Sequence, residues 1–312
     1  GALGTEGRSS AISMISMNTV RRMRKTDMDL PEDAKKMLVF SDNRQDSSLQ
    51  SGHLNDLRFV IALRAALYSA LHQHSVIRGS EIPGRVVDSL NLHSSDFGRN
   101  PDAKFAAADE QIRALQKAVA YHLHSDLQRG WRLTSPNLEQ TGQMKIEYLS
   151  LEDVAADDAT WSNRHTLLAE ASSGIRGVIC KTLLDLMRQK LAINTEELEK
   201  TRQDELIRLT TDQLKHPWAV DDPDAMVNST YAVAMPKSAI NDRFVKGLEH
   251  ITERGGFGRY MMRLLLQNSE HDSPPATEKR QIIVDLFEAL TEVGLLEQTE
   301  RTSDVTGYRI KS

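Results

Sequence analysis

Apolar residues in this sequence return at three- and four-residue spacing over long stretches, and that period commits most of the chain to amphipathic helices. Val60, Leu63, Leu67 and Leu71 form one stripe, in a helix expected from about Arg44 or Asn55 to Leu71. Phe105, Ala108, Ile112, Leu115, Val119 and Leu123 form a second, stopped by Gly130. Ile283, Leu286, Leu290 and Val293 form a third, over 277–293, with Gly294 as its cap. Shorter helices are expected at 18–24, 162–171, 175–191, 240–251 and 257–267. Another begins at Asn194, which has capping-box spacing to Glu197, and runs to about Leu214.

Strand signals are few. Met37-Leu38-Val39-Phe40 is a compact apolar run closed by Ser41-Asp42, the profile of a short buried parallel strand. Residues 131–134 and 144–149 read as short strands around turns at Pro136-Asn137 and Thr141-Gly142. Residues 295–299 and 308–310 read as a terminal hairpin around a polar loop, and Pro217–Pro223 as an acidic linker. Three helices followed by a hairpin is the order of a winged helix, a helix-turn-helix variant. The fold class expected is therefore mainly α, divided at 1–75, 76–225 and 226–312.

A single cysteine, Cys180, excludes an internal disulfide and a thiolate metal cluster, and it sits in an apolar helix as a small core residue. That usage fits a reducing, cytoplasmic setting. No apolar run is long enough to span a bilayer, so no membrane is expected. Gly1-Ala2-Leu3-Gly4, without an initiator Met, reads as internal to a longer protein. The net charge of −5 gives no global attraction to nucleic acid, so any such contact must be a local patch.

No G-x-x-x-x-G-K-[ST] phosphate loop occurs. Asp109-Glu110-Gln111 lies in an amphipathic stretch and reads as a solvated helix face. Gly255-Gly256-Phe257-Gly258 reads as a helix-entry loop, because no strand is expected before it. His72 with His74, and His122 with His124, stand two apart, a spacing that points side chains away from each other on a helix.

The segment Lys36–His53, KMLVFSDNRQDSSLQSGH, resembles motif IV of superfamily 2 helicases. It is similar in particular to large bacterial DEAD/DEAH-box helicases, some of which belong to DISARM-like phage-defence systems. Leu3–Ser9, Gly130–Gln140 and Phe257–Tyr260 with the final segment resemble other parts of the same proteins. The resemblance implies the opening strand and helix of a second RecA-like motor domain, a RecA-like βα edge. A helical insertion with winged-helix-like elements would follow it. It implies an ATP-dependent DNA helicase or translocase as the parent protein, with ATP and Mg2+ held by parts not matched here and no cofactor in this chain. The implied partners are DNA, the remaining helicase domains and subunits of a defence or repair complex.

A loop at the C-terminal end of a parallel strand is where α/β sheets present ligand contacts. Ser41, Asn43 and Gln45 offer neutral hydrogen bonds there, and Arg44 a fork suited to phosphate. These four are the candidate contacts to a tracked DNA backbone; the alternative is that they cap the following helix. In the last segment the candidates are Lys279 and Arg280 on the third helix and Arg259, with Arg254, Arg263, Arg301, Arg309 and Lys311 as further cations. The third helix is also expected to expose Glu278, Gln281, Asp285 and Glu288, a mixed set for a base-reading helix. A stand-alone winged-helix regulator and a protein-binding scaffold stay open beside the helicase reading.

Overall fold

The computed structural model describes residues 2–26, 31, 34–37, 44–127, 136–240, 246–267, 271–302 and 305–311. It is mainly helical and divides into two compact units, Gly1–Phe97 with Gly130–Met144, and Gly98–Arg129 with Lys145–Ser312. No helix among the described residues is long and apolar enough to cross a membrane.

The first unit is built on α1 (Ala2–Thr26) and α2 (Arg44–His74), with α3 (Ile82–Leu90) and α4 (Ser94–Phe97). Helix α1 is much longer than the 18–24 expected. Helix α2 buries Leu63 and Leu67 of the stripe read from the sequence, together with Ala66 and Ala70, while Val60 and Leu71 are only partly buried. Arg64, also buried, donates to the Pro136 carbonyl at 3.3 Å. Asn137 and Gln140 exchange backbone N–H and side-chain oxygen bonds at 3.1 and 3.0 Å, and Gly142 takes a φ of 72°. The expected turn is thus closed by its own side chains. The strands expected at 37–40 and 131–134 fall almost wholly outside the described residues. The one expected at 144–149 is irregular backbone.

The second unit opens with α5 (Ala106–Ser125). Its stripe is only half used: Leu115 and Val119 are buried, but Phe105 is 88% and Ile112 43% exposed. Asp109 and Glu110 are exposed as expected, whereas Gln111 is buried and donates to the Asn100 carbonyl at 3.1 Å. Two short helices that the sequence did not announce, α6 (Leu151–Ala156) and α7 (Asp158–Trp161), come next, and the helix expected over 162–171 shrinks to α8 (Thr166–Ala169). They pack around α9 (Ser173–Gln189), the centre of the core, which buries Ile179, Leu183, Leu184 and Met187. Cys180 is fully buried there, and burial pushes its thiol up to about 12.

Strand β1 (Ile193–Asn194) and α10 (Lys200–Gln213) follow, where one helix from Asn194 was expected. The capping box fails because Asn194 spends its amide on Glu297, at 2.7 Å, and its backbone on a strand. The segment after α10 is no open linker. Trp218 and Val220 are buried, and Thr210 Oγ1 bridges to the Val220 backbone.

Strands β2 (Tyr231–Val233) and β3 (Leu248–His250), helices α11 (Gly256–Leu266) and α12 (Ala276–Glu292), and the β4 (Leu296–Thr302) and β5 (Val305–Lys311) hairpin complete the unit. β5 is the hub of the sheet. β4 runs antiparallel along one edge of it. β1 (parallel, Ile193 opposite Ile310) and β2 (antiparallel, Ala232 opposite Tyr308) share the other edge, and β3 adds parallel to β2. The helix expected at 240–251 is therefore corrected: 248–250 is a strand.

His122, in the last turn of α5, stands edge-on to Tyr121 at 5.4 Å. Burial pushes it down from 6.5 to about 4. Between those values the unfolded chain binds a proton that the fold excludes, so stability rises with pH across the window and is lost as pH falls through it. The loss should approach about 3 kcal/mol near pH 4. Urea midpoints at pH 7.5 and 4.5 should fall less for His122→Phe than for the unsubstituted chain.

Candidate nucleic-acid interface

Of the expected contacts in the first unit, Ser41 and Asn43 lie outside the described residues. Arg44 and Gln45 open α2, with helical backbone. The sheet and helices of the second unit carry the rest.

Helix α12 buries Ile282, Ile283, Leu286, Phe287 and Leu290 on one side. Its polar side is engaged by the segment between α7 and α8. Arg164, almost buried, reaches Glu288 at 2.8 Å and Glu292 at 2.5 Å. The His165 backbone N–H donates to Asp285 at 2.7 Å, and Gln281 donates to the other oxygen of the same carboxylate at 2.8 Å. Asp285 is thus buried, not exposed as the sequence suggested. The charged groups that α12 turns outward beyond its first turns, Glu288 and Glu292, are both paired with Arg164.

Arg280 is also partnered. Its Nη2 lies 3.4 Å from Glu253 Oε1, and Arg254 Nε lies 3.8 Å from the same oxygen. Burial pushes the Glu253 carboxyl up, but its own backbone N–H and the Arg280 and Arg254 cations outweigh that and hold it below the ordinary range. Glu253 Oε2 and Arg280 Nε are both buried with no hydrogen bond. Arg280 therefore ties α12 to the loop before α11, and Arg254, 88% exposed, is the outward member of the trio. Lys279 is partly exposed beside it.

The loop before α11 does follow a strand, contrary to the sequence reading. β3 ends at His250, and Thr252–Gly255 turns the chain into α11. Gly258 makes this possible: a Cβ there would stand 2.3 Å from the Thr252 carbonyl oxygen and 2.8 Å from Glu253 Cα. A cavity of about 250 Å3 adjoins this turn, with Leu186, Met187, Ala232, Ile251 and Phe257 among its walls. The Lys190–Glu249 ion pair, at 3.3 Å, is part of its lining. The signal that would have found this strand is the match of Leu248-Glu249-His250 to β2, which a local reading cannot supply.

Helix α11 has no acidic residue. Phe257, Met261, Met262 and Leu265 face the core, leaving Arg259 and Arg263 exposed and Tyr260 partly so. The Arg263 guanidinium lies over the Tyr260 ring, 5.3 Å from its centroid. The two arginines share a helix face at i, i+4 and form no ion pair with a described residue.

The hairpin cations separate into two kinds. Arg301 is exposed and lies 4.0 Å from the centroid of Tyr231. Arg309, expected beside it as a surface cation, is buried. It holds Glu297 through two bonds of 2.8 and 3.1 Å, pairs with Glu199 and covers Tyr231 at 4.5 Å. It is a structural clamp across the sheet, and Lys311 remains exposed.

No protein-family model, no curated protein and no solved structure matches this chain.

Proposed function

We propose that this chain is part of an ATP-dependent superfamily 2 DNA helicase or translocase, and that its second unit is an accessory domain that engages nucleic acid without reading sequence. The helicase class rests on the resemblance of Lys36–His53 to motif IV, which makes Ser41, Asn43, Arg44 and Gln45 backbone contacts in the whole enzyme. ATP and Mg2+ belong to parts of that enzyme not matched here. A winged-helix reading keeps two of its three expected helices and the hairpin, α11, α12, β4 and β5, with β2 paired to β5, while β3 stands where the first helix was expected.

The observation that carries the mode of engagement is the occupied face of α12. A helix whose outward carboxylates Glu288 and Glu292 are held by Arg164, and whose Asp285 is buried under the His165 amide, has little bare polar face to lay in a major groove. The cations that reach solvent along α11 and at the start of α12 are Arg254, Arg259, Arg263 and Lys279, with Glu278 as the exposed carboxylate in the first turn of α12. Such a set suits phosphate, which positions a duplex or strand but carries no base code.

Fluorescence anisotropy on labelled DNA tests this. Binding should be sequence-independent and fall steeply between 50 and 200 mM salt. Replacing Arg259 and Lys279 together with alanine should reduce the slope of log K against log salt by about 1–2. A strong preference for one duplex sequence, or no affinity at low salt, would sink the proposal. A protein-docking role has one observation in its favour, the exposed Phe105 just before α5 and Ile112 on it.

A further inference from the structure

We infer that the solvent face of α11 is a stacking platform for single-stranded nucleic acid, formed by Arg259, Tyr260 and Arg263. The inference rests on the nucleic-acid reading above and specifies its substrate. Three observations converge on it. Within a chain of net charge −5, this helix has no acidic residue, so nothing on it repels a phosphate. Its two exposed arginines form no ion pair with a described residue, whereas Arg164, Arg176, Arg188, Arg254, Arg280 and Arg309 all meet carboxylates.

The third observation is the ring. Tyr260 sits between the arginines in sequence, partly exposed, with the Arg263 guanidinium over it at 5.3 Å. A guanidinium plane over an aromatic ring makes a flat π surface with charge at its rim. A base can stack on such a surface, while the flanking cations take the phosphates on either side. In a duplex the base faces are already covered by their neighbours, so a ring on a helix face has nothing to stack on. Arginines alone would serve duplex, single strand or an anionic lipid surface equally. The aromatic group selects the single strand.

The test uses the full chain with a labelled dT12 strand, the same strand in duplex, and phosphatidylserine vesicles, all at 50 mM salt. The single strand should bind more tightly than the duplex or the vesicles. Tyr260→Leu, which keeps apolar bulk and every charge, should weaken single-strand binding roughly 5- to 150-fold. Tyr260→Phe should restore it. Arg263→Ala, at an exposed position, should also weaken it and lower the salt slope by about 1. It carries the test if Tyr260→Leu loses the fold. Equal affinity of Tyr260→Leu and the unsubstituted chain overturns the platform while leaving the proposed function standing. Tighter binding to duplex or vesicles overturns the platform too. Absence of affinity for either form of DNA overturns both.

Discussion

Replacing Arg176 with methionine is expected to destabilise the second unit by about 3–5 kcal/mol, the cost of leaving several helix-end carbonyls without their donors. Arg176 is 3% exposed. Its Nε donates to the Leu168 carbonyl at 2.9 Å, and its Nη atoms reach the carbonyls of Ala155 and Ala169 and the Asp158 carboxylate. Those carbonyls lie at the C-terminal ends of α6 and α8, where a short helix leaves acceptors without intrahelical donors. A guanidinium there supplies donors and a favourable charge to both helix ends at once. Methionine matches the stem but leaves the carbonyls buried without partners, each at about 1–3 kcal/mol. Trp161, whose ring centroid is 5.6 Å from the guanidinium, is a natural fluorescent reporter for urea denaturation. Lysine should recover only part of the loss, because a point charge cannot reach several carbonyls in different directions. An unchanged urea midpoint in Arg176→Met would show that α6 and α8 are held by packing alone.

Gly258→Val should be the next most damaging change. The added Cβ meets the Thr252 and Glu253 backbone at under 3 Å, and backbone cannot turn aside as a flexible side chain can. Overpacking of this kind costs about 1–3 kcal/mol, a fall in Tm of roughly 2–12 °C for a domain of this size. Gly174→Ala is the matched control. It lies in the first turn of α9 with nothing within 4 Å of its Cβ position, so it should be neutral or mildly stabilising. Because Gly258 seats α11 on the Thr252–Gly255 turn, the variant should also disturb the Glu253–Arg280 contact and with it the DNA binding proposed above. Normal stability in Gly258→Val would mean that the loop can move away from α11 at little cost.

The parts of the fold that were legible in the sequence are those whose signal is local. Helices α9, α11 and α12 lie within a residue or two of their expected bounds, because long apolar stripes and Gly294 define them without reference to the rest of the chain. The missed strands have one cause. Ile193-Asn194 and Leu248-Glu249-His250 are strands only because β5 and β2 lie beside them, and two or three residues cannot register a period of two. Asn194 and Glu197 had the right spacing for a cap, yet Glu297 holds the Asn194 amide.

The candidate interface divides the same way. Arg259 and Arg263 could be paired from sequence by helical spacing. That Arg280 and Arg254 share one carboxylate, that Arg309 is buried between Glu297 and Glu199, and that Arg164 covers α12 all depend on contacts between distant segments. The occupied face of α12 is the part that changes the functional reading, and no local pattern announced it.

The position of β5 in the sheet has a consequence for how the second unit comes into being. β1 is made early, yet Ile193 has no strand to join until Ile310 is made. β2 must likewise wait for Tyr308 before it gains its antiparallel neighbour. During synthesis, α9 and the short helices around it can gather first, while the sheet stays open until its hub arrives. A nascent chain halted before Val305 would expose three strand edges at once, the kind of surface that invites association with another unfinished copy.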